Sequence, residues 1–270
     1  MNYHFISGLP RSGSTLLASI LRQNPQFHAG IISPLGAMVP ALQRAMSPEQ
    51  ETHIFVSPTQ RLRMAEALFD AYYEDHLDKI IFDTNRRWCA DLALIAHVFP
   101  NSRVLACVRS PAQIVDSFER LFQKNPLYLS TVFRSDPYGT VYDRVPIIMA
   151  NDGVLGFAYN ALRQAFYGPN ANRLVLVEYT NLATAPKVTL DWIHDQLSLA
   201  PFDYDFDHIK QIPEVDVFDN SIGTPGLHQL KEVVVYAGTP PALPPDIMAR
   251  LPPVFWRPIT PVKKDVTSAE

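Results

Sequence analysis

The chain has 270 residues, 47% of them hydrophobic and 19% charged, with a net charge of −4. That apolar share can build a sizeable core in one large domain or two small ones, and it argues against disorder. The acidic balance disfavours a non-specific grip on nucleic acid or an anionic membrane, and two cysteines, Cys89 and Cys107, make neither a disulfide framework nor a metal-ligand cluster.

A short apolar strand, Tyr3 to Ile6, begins almost at Met1 and leaves no room for a secretory signal. No apolar run approaches the roughly 18 residues of a membrane span. With the cysteine usage, this predicts a soluble cytoplasmic protein. The strand runs into Gly8-Leu9-Pro10-Arg11-Ser12-Gly13-Ser14-Thr15. A helix follows, with Leu16, Leu17, Ile20 and Leu21 at helical spacing, and Asn24-Pro25 ends it. Strand, glycine-bearing loop and helix N-terminus aim backbone amides at one spot, which suits an anion. Ser14 and Thr15 add hydroxyl donors and Arg11 adds a fixed charge. The Gly8-to-Gly13 spacing is that of a P-loop, but Ser14 stands where a nucleoside triphosphatase has its Lys.

Gln26 to Ala41 reads as an irregular loop, with a short helix near Ala37 to Ala45. A helix from Thr59 to His76 carries Leu62, Ala65, Phe69 and Tyr72 on one side. Lys79 to Asp83 is a buried strand ending in an acid, which taken alone resembles a Walker B strand. Thr84-Asn85-Arg86-Arg87-Trp88 follows. Arg86 and Arg87 read equally as a solvated helix start or as a source of positive charge, and Trp88 as core. Arg103 to Arg109 is a continuous apolar strand delivering Arg109 and Ser110 to its C-terminal end. The next helix begins at Pro111 and carries Ser117 and Arg120.

Lys124 to Asn151 is aromatic and turn-rich, with Tyr128, Phe133, Pro137-Tyr138-Gly139 and Tyr142, and suggests a lid with short helices. Leu155 to Phe166 is an amphipathic helix. Arg173 to Tyr179 is the last strong strand, followed by a helix from Pro186 to Leu197. Beyond Ala200 come Ser221, a Gly-Thr-Pro-Gly-Leu-His stretch ending at His228, Lys231 and a proline-rich tail. Phe255-Trp256 is expected to dock that tail on the body. The strands alternate with helices, which predicts an α/β fold with a mainly parallel sheet flanked by helices and ligands beyond the strands' C-terminal ends. One domain over residues 1–262 is expected, with 232–262 a proline-rich extension and 263–270 frayed.

The pattern G-x-P-R-S-G-[ST]-T-L at Gly8 to Leu16 resembles the 5′-phosphosulfate loop of sulfotransferases that use 3′-phosphoadenosine 5′-phosphosulfate (PAPS). It is most similar to the tyrosylprotein and bacterial branch. In that family a strand-end Arg and a Ser eight residues on bind the 3′-phosphate, and Arg109 and Ser117 have this spacing. The resemblance implies PAPS as donor, 3′,5′-adenosine bisphosphate (PAP) as product, an acceptor hydroxyl or amine, and no metal. It implies a donor site of Arg11, Ser12, Gly13, Ser14, Thr15, Leu16, Arg109, Ser117 and Tyr179, with Ser221 and Lys231 from a closing loop, and Arg11 as the catalytic cation. Arg120 lies one residue from a further phosphate-contacting Arg of the tyrosylprotein branch. The family's acid after the loop helix falls at Ile31 and Ile32, where no carboxylate stands, and Thr84 replaces a family Lys. His28 and Asp83 are the candidate bases. A divergent Mg-ATP kinase and a catalytically degenerate PAP-binding protein are the alternatives.

Overall fold

The computed structural model describes residues 3–125, 127, 130–133, 139–234, 236, 240, 241 and 243–257. Five parallel strands form one sheet in the order β2-β3-β1-β4-β5. They are β1 Tyr3–Gly8, β2 Phe27–Ala29, β3 Ile80–Thr84, β4 Val104–Val108 and β5 Leu174–Glu178. Tyr3 pairs with Ile81 on one side of β1, and Gly8 with Cys107 on the other. The central strands are buried on both faces, which is why they read as apolar runs. One core packs Phe5, Phe69, Trp88 and Phe118 on one face of the sheet, and a second packs Leu17, Phe82, Leu105 and Ile193 on the other.

The helices are α1 Ser14–Leu21, α2 Leu35–Ala45, α3 Pro58–Tyr72, α4 Leu92–Val98, α5 Pro111–Lys124, α6 Val141–Met149, α7 Gly156–Tyr167, α8 Tyr179–Thr184, α9 Pro186–Leu197, α10 Val215–Ser221 and α11 Pro245–Arg250. Ser57 starts α3 with a capping box to Gln60, and proline opens α3, α5 and α9.

Three expectations need correction. The segment after α1 contains β2, whose three residues are too few to show alternation. Tyr72 is exposed, and its neighbour Tyr73 takes the buried place instead. The proline-rich segment holds the short helix α11. Its end docks as expected: Phe255 packs on Tyr159 and Phe166, and Trp256 Nε1 donates to Glu178 at 3.2 Å. The expectations on Tyr128, Pro137, Tyr138 and residues 263–270 lie outside the described residues.

His4 on β1 couples this core to pH. Its Nδ1 accepts the Arg103 N–H at 3.2 Å, which requires the neutral ring. Burial, helped by the Arg103 charge, lowers its pKa from 6.5 to about 4. The unfolded chain therefore takes up this proton near pH 6.5 and the native state only near pH 4. Stability from this group is complete above pH 6.5 and is lost as pH falls toward 4, on the order of 3 kcal/mol at most. His28, lowered to about 4 mainly by burial, adds the same sign. Urea unfolding should weaken across this window, with a shallower slope in His4→Gln; equal slopes in the two proteins would exclude the His4 contribution.

Candidate functional site

A cleft of about 530 Å³ opens over the C-terminal ends of the strands. The loop after β1 forms its floor. Gly8 turns the chain at φ 99°, and a Cβ there would stand 2.2 Å from the Cys107 carbonyl oxygen, so only glycine fits. Gly8→Ala should destabilise the fold by about 3 kcal/mol or more, read as a lower urea midpoint; an unchanged midpoint would contradict this packing.

Arg11 also has positive φ, 57°, and it is one of two non-glycine residues of the described chain that do. L-residues reach this region at a cost of roughly 1–2 kcal/mol, so a large side chain held there calls for a reason. Gly13, φ 91°, opens α1 without a side-chain cap. The α1 amides are thus left facing the cleft, as the loop pattern predicts.

Two guanidinium groups meet above this loop. Arg11 Nε donates to Ser117 Oγ on α5 at 3.0 Å. Arg109, at the end of β4, donates from Nη1 to the Arg11 carbonyl at 3.2 Å and stacks 4.5 Å over the Tyr179 ring. Burial and then the nearby Arg109 charge lower the Arg11 pKa to about 10, opposed by Asp219. Arg11 stays charged at neutral pH, in a place where its charge is poorly solvated and faces a like charge. That arrangement favours the binding of anionic groups at these two cations.

Most expected donor-site residues come together here. Arg11, Gly13, Ser14, Thr15, Leu16, Arg109, Tyr179 and Lys231 all line the cleft. Ser117 lies behind Arg11 and holds it. Ser12 is off the cleft wall: it is fully buried, and its hydroxyl donates to the Pro10 carbonyl at 3.3 Å. Ser221 is off the cleft wall, with its hydroxyl on the Phe218 carbonyl at 2.7 Å. Arg120 is turned away into an ion pair with Asp116 at 2.7 Å. Arg86 lines the cleft, whereas Arg87 pairs with Asp91 at 2.6 Å.

Neither sequence-derived base faces the cleft. Asp83 is fully buried and accepts from Ser33 Oγ at 3.0 Å, Tyr73 OH at 2.6 Å and Trp88 Nε1 at 2.6 Å. It is a core hub and is placed neither to take an acceptor proton nor to act as a Walker B ligand. Trp88 is accordingly core. His28 sits on β2, its ring stacked 3.9 Å from His76, and is not part of the cleft wall.

The cleft has a different histidine. His228 lines it, and its Nδ1–H donates to Asp219 Oδ1 at 2.5 Å. The other oxygen of that buried carboxylate accepts the His228 backbone N–H at 2.7 Å. Asp219 thereby fixes the ring and its tautomer, and Nε2, which is bonded to none of the described residues, is left to accept a proton. The sequence singles out His228 but not Asp219, nine residues earlier. Gly223 and Gly226, at φ 68° and 78°, fold the loop back to join them.

A family model described as "Sulfotransferase family" matches residues 4–204. The solved sulfotransferase domain from the curacin biosynthetic pathway has the same fold, with a TM-score of 0.50 and 15% identity, over 87% of this chain and 81% of that one. A sulfotransferase of Alicyclobacillus acidocaldarius aligns at 14% identity and a TM-score of 0.47, over 82% of this chain and 90% of its own. The sulfotransferase domain of the Synechococcus PCC 7002 olefin synthase aligns at 19% identity and 0.46, over 92% of each chain. No curated protein matches by sequence.

Proposed function

This chain belongs to the sulfotransferase family, and we propose that it moves a sulfuryl group from PAPS to an acceptor hydroxyl. The observation that carries this reading is the placing of Arg11 and Arg109 around the loop that opens α1, two cations on the wall of one cleft. PAPS supplies two anionic groups about one nucleoside apart, and the cleft offers a cation for each.

In this reading the amides at the start of α1, with Ser14 and Thr15, hold the 5′-phosphosulfate. Arg109 holds the 3′-phosphate and Tyr179 flanks the nucleotide. The acceptor oxygen attacks sulfur as the bond from sulfur to the bridging phosphate oxygen breaks. Charge grows on that leaving oxygen, and Arg11 offsets it. The acceptor proton passes to His228 Nε2 while Asp219 steadies the resulting cation. The bisphosphate leaves with the electron pair of the broken bond.

The geometry favours this over a Mg-ATP kinase, because Ser14 stands in place of the Walker Lys and Asp83 is engaged in the core. The test is acceptor-dependent release of PAP from PAPS by the purified chain, scored by mass spectrometry with a panel of phenols and alcohols. Release with a matching sulfated product supports the reading, and phosphorylation of the same panel from Mg-ATP in its place would overturn it.

A further inference from the structure

The order of the strands divides the cleft. Arg109 and Tyr179 stand at the ends of β4 and β5, on one side of the β1 loop. The nucleotide of the proposed donor thus lies over β1, β4 and β5. The other half, over β3 and β2, is left to the acceptor.

That half has a distinct chemistry. Ile31 and Ile32 follow β2, and Val154 precedes α7, which packs on the turn that carries Arg86; all three are on the cleft wall. They make an apolar lining. Arg86, two residues beyond β3, is the cation there. It is exposed to the cleft, yet burial by the surrounding protein lowers its pKa. Its fixing is local: its carbonyl accepts the Ser7 hydroxyl at 3.1 Å, and Asn85 caps the turn that carries it. Among the described residues its guanidinium has no hydrogen-bond or salt-bridge partner, unlike Arg11, Arg109 and Arg87. The acids nearest it along the chain are engaged elsewhere: Asp83 takes three donors, and Asp91 is paired with Arg87. A half-desolvated guanidinium keeps five donors in a planar fork, which matches a carboxylate or phosphate two bonds at a time.

We infer that Arg86 receives an anionic group of the acceptor, so that the substrate is an amphiphile with a hydroxyl, an apolar body and a carboxylate or phosphate. This names the acceptor class of the sulfotransfer reading and rests on it for the hydroxyl, but not for the anion. The apolar lining takes the body, Arg86 takes the charge, and the hydroxyl is left toward His228. Neutral phenols and alcohols lack the second contact.

The test uses matched pairs that differ only in charge: 3-(4-hydroxyphenyl)propionate against its methyl ester, and 10-hydroxydecanoate against its methyl ester. Binding is titrated calorimetrically to the whole chain, with and without saturating PAP, in the parent, Arg86→Gln and Arg86→Lys. In the parent the anionic member should bind ~10- to 100-fold more tightly, a difference lost in Arg86→Gln and partly kept in Arg86→Lys. PAP affinity should not change in either variant. Equal binding of both members, binding of neither, or a loss of PAP affinity in Arg86→Gln matching the loss of the anion would overturn the assignment. The last result would give Arg86 to the donor. Failure of PAP to bind the parent would defeat the donor reading instead, and the pairs titrated without PAP still decide Arg86.

Discussion

Replacing Arg11 by glycine is expected to lower kcat for sulfuryl transfer on the order of 10²–10³-fold while leaving the fold at least as stable as the parent. Both halves follow from the same residue. Arg11 holds a left-handed backbone that glycine adopts without strain, and its poorly solvated charge faces Arg109. Glycine removes the strain and the repulsion together. It also removes the charge that offsets the leaving phosphate oxygen, an interaction that grows only as the S–O bond breaks. Arg11→Lys, which keeps a charge but not the fork that grips Ser117 at 3.0 Å, should fall between the two. Thermal unfolding and single-turnover kinetics on the same preparations check both parts. Retained turnover in the glycine variant would remove Arg11 from the mechanism.

His228→Ala is the second large effect. A positioned general base contributes on the order of 10²–10⁴-fold, and the loss should fall on kcat with PAP affinity unchanged. Alanine keeps the His228 backbone N–H that donates to Asp219 at 2.7 Å, so the loop retains one of its ties. Asp219→Asn should cost less in rate, because the ring stays near its place but loses the carboxylate that fixes its tautomer. Added imidazole should recover part of the rate in His228→Ala and none in Arg11→Gly. A His228→Ala enzyme of normal kcat would leave the ring a purely structural tie to Asp219.

What could be read from the sequence was whatever local pattern alone decides. The apolar runs of β1, β3, β4 and β5 and the glycine spacing of the first loop are such patterns, and they put Arg11 and Arg109 at adjacent strand ends. Arg120 and Arg87 were left open as site cations, although each has an acid four residues away, Asp116 and Asp91, that pairs with it in the structure. The base was not legible. Asp83 ends a strand and resembles a site acid, but its three donors come from residues 33, 73 and 88 and meet it only after folding. Asp219 and His228 are joined by a glycine-rich turn with no period, and the sequence alone gives no reason to pair them. The edge strand β2 was invisible because three residues cannot alternate convincingly.

The measurement that bears most directly on this account is calorimetric binding of PAP to the purified chain, with and without Mg²⁺ and in competition with Mg-ATP. Two cations held over an open helix N-terminus predict metal-independent binding that Mg-ATP does not displace. Arg109→Ala should weaken it by roughly 10-fold or more, the loss expected for a charge-assisted bond to the 3′-phosphate. Clear binding of Mg-ATP with none of PAP, or PAP binding indifferent to Arg109, would contradict it.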